Sequence, residues 1–445
     1  MKAKPNPIEP GKILDQEGVE FISLQFTDIL GGIRSTVIPR RDFENTIKEG
    51  CTFDGSSAGF VGVHESDLTL IPDLTTLRIF PWGAKENKTA RIICDVFRED
   101  GKTPFEGDPR SVLRRTLGEM KQQIGEEVEF LLAPELEFHF LIKREDGVYV
   151  THDQASYFFI PPYDRGAEIR KELSHALDAM GILCEKNNHE VPKGKHEINF
   201  KHGDALSIAD ATLTYKQVVK YIVDEKGLIA SFMPKPFFGT YGCGMHVHLN
   251  LFDKKKGINL FSKGESTEFS SLGVSFIAGL LDHAKGLSGI TNPSVNSYKR
   301  LVPGWEAPVY IAWAKYNRSS LLRIPASSPK ALRVESRSPD ASCNPYLAFA
   351  VMLAAGLDGV KRKLAPPPPV EKDIYHMSPE ERKTHGIGSL PGALKEALDE
   401  AEKDPLIEKT LGTYLFKKFI SFKRKEWENY STQVHPWEIE TYLNV

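Results

Sequence analysis

The chain has 445 residues, more than the roughly 250 to 300 at which one hydrophobic core usually stops growing, and 40% of them are hydrophobic. Its formal net charge of -3 gives no support for a nucleic-acid partner or an anionic membrane surface. The best apolar run, residues 346–357, is too short to span a membrane, and residues 1–7 contain no signal-peptide type of stretch. We therefore expect a cytoplasmic protein of two domains that binds neither nucleic acid nor membrane.

The cysteines indicate a reducing environment. There are five, they are scattered along the chain, and none belongs to a Cys-x-x-Cys pair. This usage predicts free thiols in the core rather than a disulfide framework or a zinc site.

Residues up to about 103 predict a small domain rich in β-structure. Strand patterns cover residues 19–26, 36–38, 77–80 and 90–96, and Gly and Pro turns separate them. We place the boundary of this domain between residues 103 and 104.

The remainder alternates strand patterns with long amphipathic helices. Asp108 followed by Pro109 is a helix start, with the aspartate as N-cap and the proline at the first helical position. Further helical patterns cover residues 167–180, 205–223, 270–287 and 344–363, and residues 378–428, beyond the prolines of 366–369, are mostly helical and charged. A sheet backed by helices follows, which gives an α+β fold class.

Four strand-like segments carry ionisable or amide side chains at every second position, between apolar residues. In residues 132–140 these side chains are Glu135, Glu137 and His139, which therefore share one face of a strand. The other segments contribute Glu197 and Asn199, then His246, His248 and Asn250, then Arg333, Glu335 and Arg337. Such groups resist burial unless they are paired or bound to metal, so the four segments predict one shared polar cavity.

The acidic residues predict a divalent metal. The candidate ligands are Glu135, Glu137, Glu190, Glu197, Glu335 and His246. Carboxylates with one imidazole form a hard ligand set that suits Mg²⁺ or Mn²⁺. A single glutamate is most often a solvated surface charge, but the shared alternation favours a functional site.

A basic constellation occupies residues 299–337. Its members are Lys299, Arg300, Arg318, Arg323, Lys330, Arg333 and Arg337. Guanidinium groups suit carboxylate and phosphate, although an ordinary basic surface is the alternative. Together with carboxylate-held metals they indicate phosphoryl transfer from a nucleotide rather than hydrolysis by a lone metal.

The sequence contains no Walker motif. The glycine-rich residues 239–244 precede a strand instead of opening a helix, which excludes a P-loop or Rossmann site. Side chains of the cavity must then hold the nucleotide, and His248, Asn250, Lys330 and Arg333 are candidates.

Several ordered motifs resemble type I glutamine synthetase across nearly the whole chain. They lie at residues 53–57, 133–138, 189–191, 232–236, 244–246, 296–304, 317–319, 323–325 and 344–346. The resemblance implies a small N-terminal β-grasp-like domain, residues 1–103, and a catalytic domain, residues 104–445, whose curved antiparallel sheet is backed by helices. It also implies a glutamate-ammonia ligase that uses ATP to make L-glutamine, ADP and phosphate through γ-glutamyl phosphate.

The resemblance divides the metal ligands into two sites. Glu137, Glu190 and Glu197 would hold the ion that meets the glutamate γ-carboxylate. Glu135, His246 and Glu335 would hold the ion that meets the ATP phosphates. The implied substrate-binding residues are Ser57, Tyr157, Glu137, Glu190, Gly242, His246, Arg300, Glu306, Arg318 and Arg337. The implied nucleotide-binding residues are Glu185, His248, Asn250, Arg318, Arg323, Lys330 and Arg333.

By the same resemblance, Asp54 takes a proton from ammonium, and Glu306 and Arg318 are the other catalytic residues. Ser57, Tyr157, Glu190 and Glu306 would form the polar pocket that collects the cation. Asp54 would act in the site of a neighbouring subunit, within a dodecamer of two stacked hexameric rings.

The chain departs from the family pattern near the expected substrate. Tyr241 stands where the family has a small amide, and Lys193 and Lys195 stand where neutral residues are common. Two alternatives to the ammonia ligase therefore remain: a glutamate ligase for an organic amine or polyamine, and a catalytically silent regulatory paralogue.

Overall fold

The computed structural model describes residues 10–62, 65–83, 87–325 and 328–445, and within them the chain builds two β-sheets. The first sheet contains strands β1 (Val19–Thr27), β2 (Ile33–Pro39), β3 (Cys51–Asp54), β4 (Asp67–Pro72), β5 (Arg78–Ile79) and β6 (Lys88–Arg98). Their order is β2-β1-β6-β4-β3, with β5 also paired to β6, and β1 and β6 run parallel. Short helices α1 (Pro10–Gln16) and α2 (Phe43–Glu49) accompany this sheet.

The strands predicted at 19–26 and 90–96 are confirmed as β1 and β6. The predicted strand at 36–38 is the end of the longer β2, and only two residues of 77–80 pair as β5. The last strand of this sheet ends at Arg98 and the next helix begins at Pro109, so the boundary at 103 stays a prediction.

The second sheet is larger. Its strands are β7 (Val128–Lys143), β8 (Tyr149–Thr151), β9 (Cys184–His189), β10 (Lys195–Phe200), β11 (Gly203–Asp204), β12 (Ile229–Ser231), β13 (Met245–Asp253), β14 (Ile258–Asn259), β15 (Tyr310–Ala314), β16 (Ser320–Arg323), β17 (Val334–Ser336) and β18 (Gly388–Ser389). The main path is β18-β15-β16-β17-β13-β7-β10-β9, and its neighbours are antiparallel except β15 and β16.

The long strand β7 explains how one sheet serves both core and cavity. From Val128 to Phe138, fully buried side chains alternate with half-buried ones. Leu136 and Phe138 therefore pack in the core, whereas Glu135 and Glu137 face the other side. The alternation in the sequence predicted this division correctly.

The helices of this part of the chain are α3 (Pro109–Ile124), α4 (Ala167–Ala179), α5 (Ala205–Asp224), α6 (Ser271–Asp282), α7 (Ala284–Thr291), α8 (Ser297–Arg300), α9 (Pro345–Arg362), α10 (Pro379–Thr384), α11 (Leu394–Lys403), α12 (Pro405–Leu411), α13 (Thr413–Ser431) and α14 (Pro436–Tyr442). Among them, α3 and α5 pack against β7, and α4 packs against β9. The predicted start of α3 is confirmed, because the Asp108 side chain accepts hydrogen bonds from the backbone N–H groups of Arg110 and Ser111. Among the described residues, no helix is both long and apolar enough to cross a membrane.

The single helix predicted for residues 270–287 is wrong, because α6 and α7 are separated at His283. The imidazole Nδ1 lies 2.7 Å from Asp404 and Nε2 lies 3.1 Å from Asp358, so contacts with distant parts of the chain hold the break. Apolar periodicity within residues 270–287 carries no sign of these partners. All five cysteines are free thiols, and Cys94, Cys243 and Cys343 lie in the core as predicted, whereas Cys51 and Cys184 are half-buried.

A buried cation joins the first sheet to helix α5. The Arg110 side chain, which is 3% exposed, lies 2.6 Å from Asp95 and 2.8 Å from Asp73, both beside the first sheet. It also binds Asp210 of α5 through two hydrogen bonds of 3.0 and 2.8 Å. Burial alone would lower the pKa of Arg110, but Asp210 and the other carboxylates raise it. The guanidinium therefore fixes the first sheet onto the catalytic domain.

We expect Arg110→Met to lower the free energy of unfolding by about 3 to 5 kcal/mol, because it leaves buried carboxylates without their cation. Lys121→Met is the matched control, since Lys121 is an exposed cation on the same helix. Urea denaturation followed by fluorescence would measure the difference. Equal midpoints for the two variants would contradict the proposed role of Arg110.

Candidate active site

The predicted residues converge on two adjoining cavities beside the second sheet. The first, of about 420 Å³, is lined among others by Glu135, Glu137, Tyr157, Glu190, Glu197, Gly242, His246, Arg300, Glu306, Arg318, Arg323, Glu335 and Arg337. The second, of about 440 Å³, is lined among others by Glu135, Glu185, His248, Asn250, Lys330 and Arg333. Glu135 borders both, so the expected substrate residues and the expected nucleotide residues meet at one carboxylate.

Strand register produces this convergence. Glu135 of β7 is directly opposite His246 of β13, and Glu137 of β7 is directly opposite Glu197 of β10. On the other side of β13, His248 is opposite Glu335 of β17. Residues directly opposite on neighbouring strands have closely spaced side chains, so the carboxylates form rows across three strand pairs.

Three side chains where the two cavities adjoin could hold one ion. Ligand atoms of Glu135, His248 and Glu335 lie within 4.8 Å of one another. However, His248 Nδ1 accepts a hydrogen bond of 3.1 Å from Arg333, so Nε2 carries the proton that it donates to Glu135 at 3.0 Å. A protonated nitrogen has no lone pair for a metal. His248 therefore orients Glu135 instead of binding the ion.

His246 has the tautomer that a metal ligand needs. Its Nδ1 lies 3.1 Å from the carbonyl oxygen of Arg337, to which it donates, and this leaves the lone pair on Nε2. Burial, and then the charge of Arg337, hold the pKa of His246 well below its usual range, so the ring is neutral. Glu135, His246 and Glu335 thus fit Mg²⁺ or Mn²⁺ by the chemistry of their donor atoms.

Glu335 is 1% exposed and is held by two arginines. Arg337 Nη1 lies 2.5 Å from one carboxylate oxygen and donates a hydrogen bond to it. Arg323 Nε lies 2.6 Å from the other oxygen, but without hydrogen-bond alignment. Two guanidinium groups therefore flank the Glu335 carboxylate, one at the end of β16 and one directly after β17.

Three carboxylates of the first cavity, those of Glu137, Glu190 and Glu197, influence one another. Burial, and then the neighbouring Glu137, raise the pKa of Glu190 to about 7. Burial, and then Glu135, Glu137 and Glu190, raise the pKa of Glu197 well above its usual range. Crowded carboxylates in a buried cavity repel one another and fit a divalent cation between them.

The loop that carries Glu190 is fixed by Asp153, which the sequence analysis did not single out. One carboxylate oxygen of Asp153 lies 2.9 Å from His189 Nε2 and accepts a hydrogen bond of 3.1 Å from the backbone N–H of Gly194. His189 Nδ1 lies 2.9 Å from the backbone oxygen of Glu190. Asp153 therefore positions both ends of the segment between β9 and β10. Its distance along the chain from Glu190 leaves no sequence signal of this role.

Arg300 and Arg318 differ in how firmly hydrogen bonds and burial hold their side chains. The Arg300 guanidinium is buried and donates to the carbonyl oxygens of Ser338 at 2.6 Å and Arg337 at 3.1 Å, so its position is fixed. Arg318 is exposed on the connection between β15 and β16. A fixed cation and an exposed cation thus line the same cavity.

Tyr241 packs against Trp305 at the mouth of the cavity, with ring centroids 5.9 Å apart in an edge-on arrangement. The ammonium of Lys235 lies 4.6 Å from the centre of the Trp305 ring, which is within cation–π range. Glu306, which follows Trp305 in the chain, has a backbone φ angle of 54°. Such an angle is uncommon for a residue with a side chain and is found more often at functional sites.

Asp54 and Ser57 are not among the residues that line either cavity. They lie in the exposed turn after β3, where both Ser56 Oγ and Ser57 Oγ donate hydrogen bonds of 2.6 Å to the Asp54 carboxylate. These bonds lower the pKa of Asp54 to about 2. Asp54 therefore presents a permanent negative charge at the surface.

The sequence analysis also missed Lys186, Asn188 and Trp305 as lining residues and treated Lys195 only as a departure from a pattern. For Lys195 a signal existed, because it continues the alternation of Glu197 and Asn199 along β10. Lys186 and Asn188 alternate in the same way along β9.

The fold and the site are those of an enzyme whose buried carboxylates fit divalent cations and whose arginines fit anionic substrates. Comparison with known proteins agrees. Residues 18–99 match the family model "Glutamine synthetase, beta-Grasp domain", and residues 106–442 match "Glutamine synthetase, catalytic domain". The chain belongs to the glutamine synthetase family, and the predicted α+β fold with a β-grasp domain is confirmed.

Individual relatives cover nearly the whole chain. It is 47% identical to a glutamine synthetase of Methanocaldococcus jannaschii, over 96% of both chains, and 47% identical to one of Thermus thermophilus, over 97% of both. Among solved structures it is similar to a "GmaS/ADP complex" (TM-score 0.86, 32% identity, 98% of this chain and 100% of the other). It is also similar to a Plasmodium falciparum glutamine synthetase (TM-score 0.87, 25% identity, 99% of both chains).

We expect metal binding to weaken as the pH falls through about 7, because a proton then competes with the cation for Glu190. In the metal-free protein, the raised pKa of Glu190 stabilises the folded state fully below pH 4.5, the pKa of this group in the unfolded chain. This stabilisation is lost as the pH rises through about 7. Added Mn²⁺ should therefore raise the Tm more at about pH 8 than at about pH 6. Differential scanning calorimetry would measure this, and equal shifts at both values would contradict it.

Proposed function

We propose that this protein ligates ammonia to L-glutamate at the expense of ATP, giving L-glutamine, ADP and phosphate. Two ligand sets lie in one cavity that arginines border, and this observation carries the proposal. The first set is Glu135, His246 and Glu335, and the second set is Glu137, Glu190 and Glu197. The first set would hold the ion of the ATP phosphates and the second that of the glutamate γ-carboxylate. When bound, Mg²⁺ or Mn²⁺ would neutralise the negative charge that gathers there.

The residues suit a two-step reaction. In the first step a γ-carboxylate oxygen attacks the γ-phosphorus of ATP, the bond to the ADP oxygen breaks, and γ-glutamyl phosphate forms. Arg318 and Arg337 are placed to neutralise the charge on the transferred phosphoryl group. Arg300, fixed by backbone carbonyls, would bind the substrate carboxylate, and Gly242 would offer its backbone to the substrate amine.

In the second step ammonia attacks the activated carbonyl carbon and phosphate leaves with the electrons of the carbon–oxygen bond. Ammonium must first lose a proton, which Asp54 of a neighbouring subunit would accept. The low pKa of Asp54 favours its charged form, so it would attract the cation as well. Tyr157, Glu190 and Glu306 border the same end of the cavity, and Ser57 accompanies Asp54.

The nucleotide would occupy the second cavity. Glu185, His248, Asn250, Lys330 and Arg333 line it, and Arg318 and Arg323, which line the adjoining first cavity, would meet the phosphates. Because Asp54 lies away from the cavity of its own subunit, we propose active sites between subunits, within a dodecamer of two hexameric rings in the cytoplasm. We also propose that the N-terminal domain ends at residue 103.

Ammonia is the favoured nitrogen donor, because curated relatives that are 45 to 47% identical carry the name glutamine synthetase. Tyr241 beside Trp305 gives an organic amine some support as a second candidate, since aromatic rings can contact alkyl groups. Both complete ligand sets argue against a silent paralogue.

We expect Asp54→Asn to lower glutamine formation by about 10²-fold or more, because loss of a positioned base usually costs that much. ATP binding should be unchanged, since Asp54 does not line the nucleotide cavity. Glutamine formation and fluorescent-nucleotide titration would measure the two effects. A variant with full activity would rule out the role of Asp54.

Mixed oligomers test where Asp54 acts. Asp54→Asn and Arg318→Ala subunits, each inactive alone, should regain about a quarter of the wild-type rate when randomly co-assembled, because one pairing in four restores a site between subunits. Subunits mixed without reassembly are the control. If reassembled mixtures stay inactive, Asp54 does not serve a neighbouring subunit.

A further inference from the structure

Lys195 places an ammonium group inside the substrate-side ligand set. It lies at the start of β10, next to the directly opposed pair of Glu197 and Glu137. Its Nζ lies 2.8 Å from Glu137 Oε1, and the two side chains are only 6% and 12% exposed. A buried lysine is uncommon unless a partner compensates its charge, and here Glu137 compensates it.

Glu137 has both of its oxygens engaged. Oε1 accepts from Lys195 Nζ, and Oε2 accepts a hydrogen bond of 2.6 Å from the backbone N–H of Gly244. A metal would have to displace one of these donors or share its oxygen. Glu137 is therefore a poorer ligand in this chain than its place on the strand suggests.

Lys195 is also anchored from a second direction. Its Nζ donates a hydrogen bond of 3.2 Å to the backbone oxygen of Gly242, in the loop that carries Tyr241. The ammonium thus joins β10, the Glu137 carboxylate of β7 and the loop before β13. Moving it out of the site would break contacts to two different elements.

The charges fit this arrangement. Glu137, Glu190 and Glu197 together carry three negative charges when ionised, and Lys195 with one divalent ion carries three positive charges. Without Lys195 one divalent ion would leave the set one charge short. With Lys195 paired to Glu137, the remaining two carboxylates match a single divalent cation.

We propose that Lys195 is a protein-borne cation of the substrate side, which pairs with Glu137 and so weakens this member of the ligand set, leaving Glu190 and Glu197 as the principal ligands of the divalent ion there. The inference rests on the proposed function, because it concerns the same metal site. Lys195 is a positioning residue that reduces the affinity of this site for the ion.

Mn²⁺ binding in the absence of glutamate and ATP tests the proposal without depending on turnover. Isothermal titration calorimetry would measure Mn²⁺ binding to the wild type, Lys195→Gln and Lys193→Gln. A fourth variant, Glu190→Gln, should lose the substrate-side site and so shows which binding event belongs to it. We expect Lys195→Gln to bind that ion at least about tenfold more tightly, because a nearby like charge is removed. Lys193 is an exposed cation of the same loop, so Lys193→Gln should leave the affinity within about twofold.

Equal or weaker Mn²⁺ binding in Lys195→Gln would overturn the proposal. Glu137→Gln gives a second test that does not need that variant. If Lys195 occupies Glu137, Glu137→Gln changes the substrate-side affinity by less than about threefold, whereas removal of a principal ligand would cost tenfold or more. In a protein that already carries Lys195→Gln, adding Glu137→Gln should abolish the gain in Mn²⁺ affinity. A loss of tenfold or more in the single variant would show that Glu137 is a principal ligand and that the proposal is wrong.

Discussion

The concentration of carboxylates on one face of the second sheet is the constraint on which the rest of this structure depends. Ionised carboxylates in a buried cavity are costly unless cations accompany them. In this chain the cations come from three sources: arginines that contact Glu335, a lysine that contacts Glu137, and the divalent ions that the remaining carboxylates fit. Each source serves a different part of the proposed reaction.

The arrangement also separates the two halves of the chemistry. On the nucleotide side, hydrogen bonds settle which histidine carries a lone pair toward the ion and which holds a carboxylate in place. On the substrate side, burial and then the neighbouring Glu137 raise the pKa of Glu190 to about 7. Glu135 lies between the two sides, where a phosphoryl group would pass from ATP to glutamate.

The sequence predicted the rows of the site well, because strand alternation is a local property. Glu135 and Glu137, and His246 and His248, share faces as their spacing required. Family motifs assigned roles to these residues that spacing alone could not assign. Spacing thus predicts which face of a strand a residue occupies, and the motifs suggest what it does there.

Contacts between segments were not predictable in the same way. The engagement of Glu137 by Lys195 depends on the register of β10 against β7, and the role of Asp153 depends on a loop that approaches from far along the chain. The break at His283 similarly depends on Asp358 and Asp404. In each case the deciding partner lies outside the local pattern, so the pattern could not contain it.

The most direct test of the account is product stoichiometry with wild-type protein, ATP, L-glutamate and Mg²⁺, comparing ammonium with methylamine, ethylamine and putrescine. The account predicts one glutamine and one phosphate for each ADP with ammonium, and far slower turnover with each organic amine. Turnover with an organic amine but not with ammonium, or ATP cleavage without an amide product, would contradict it.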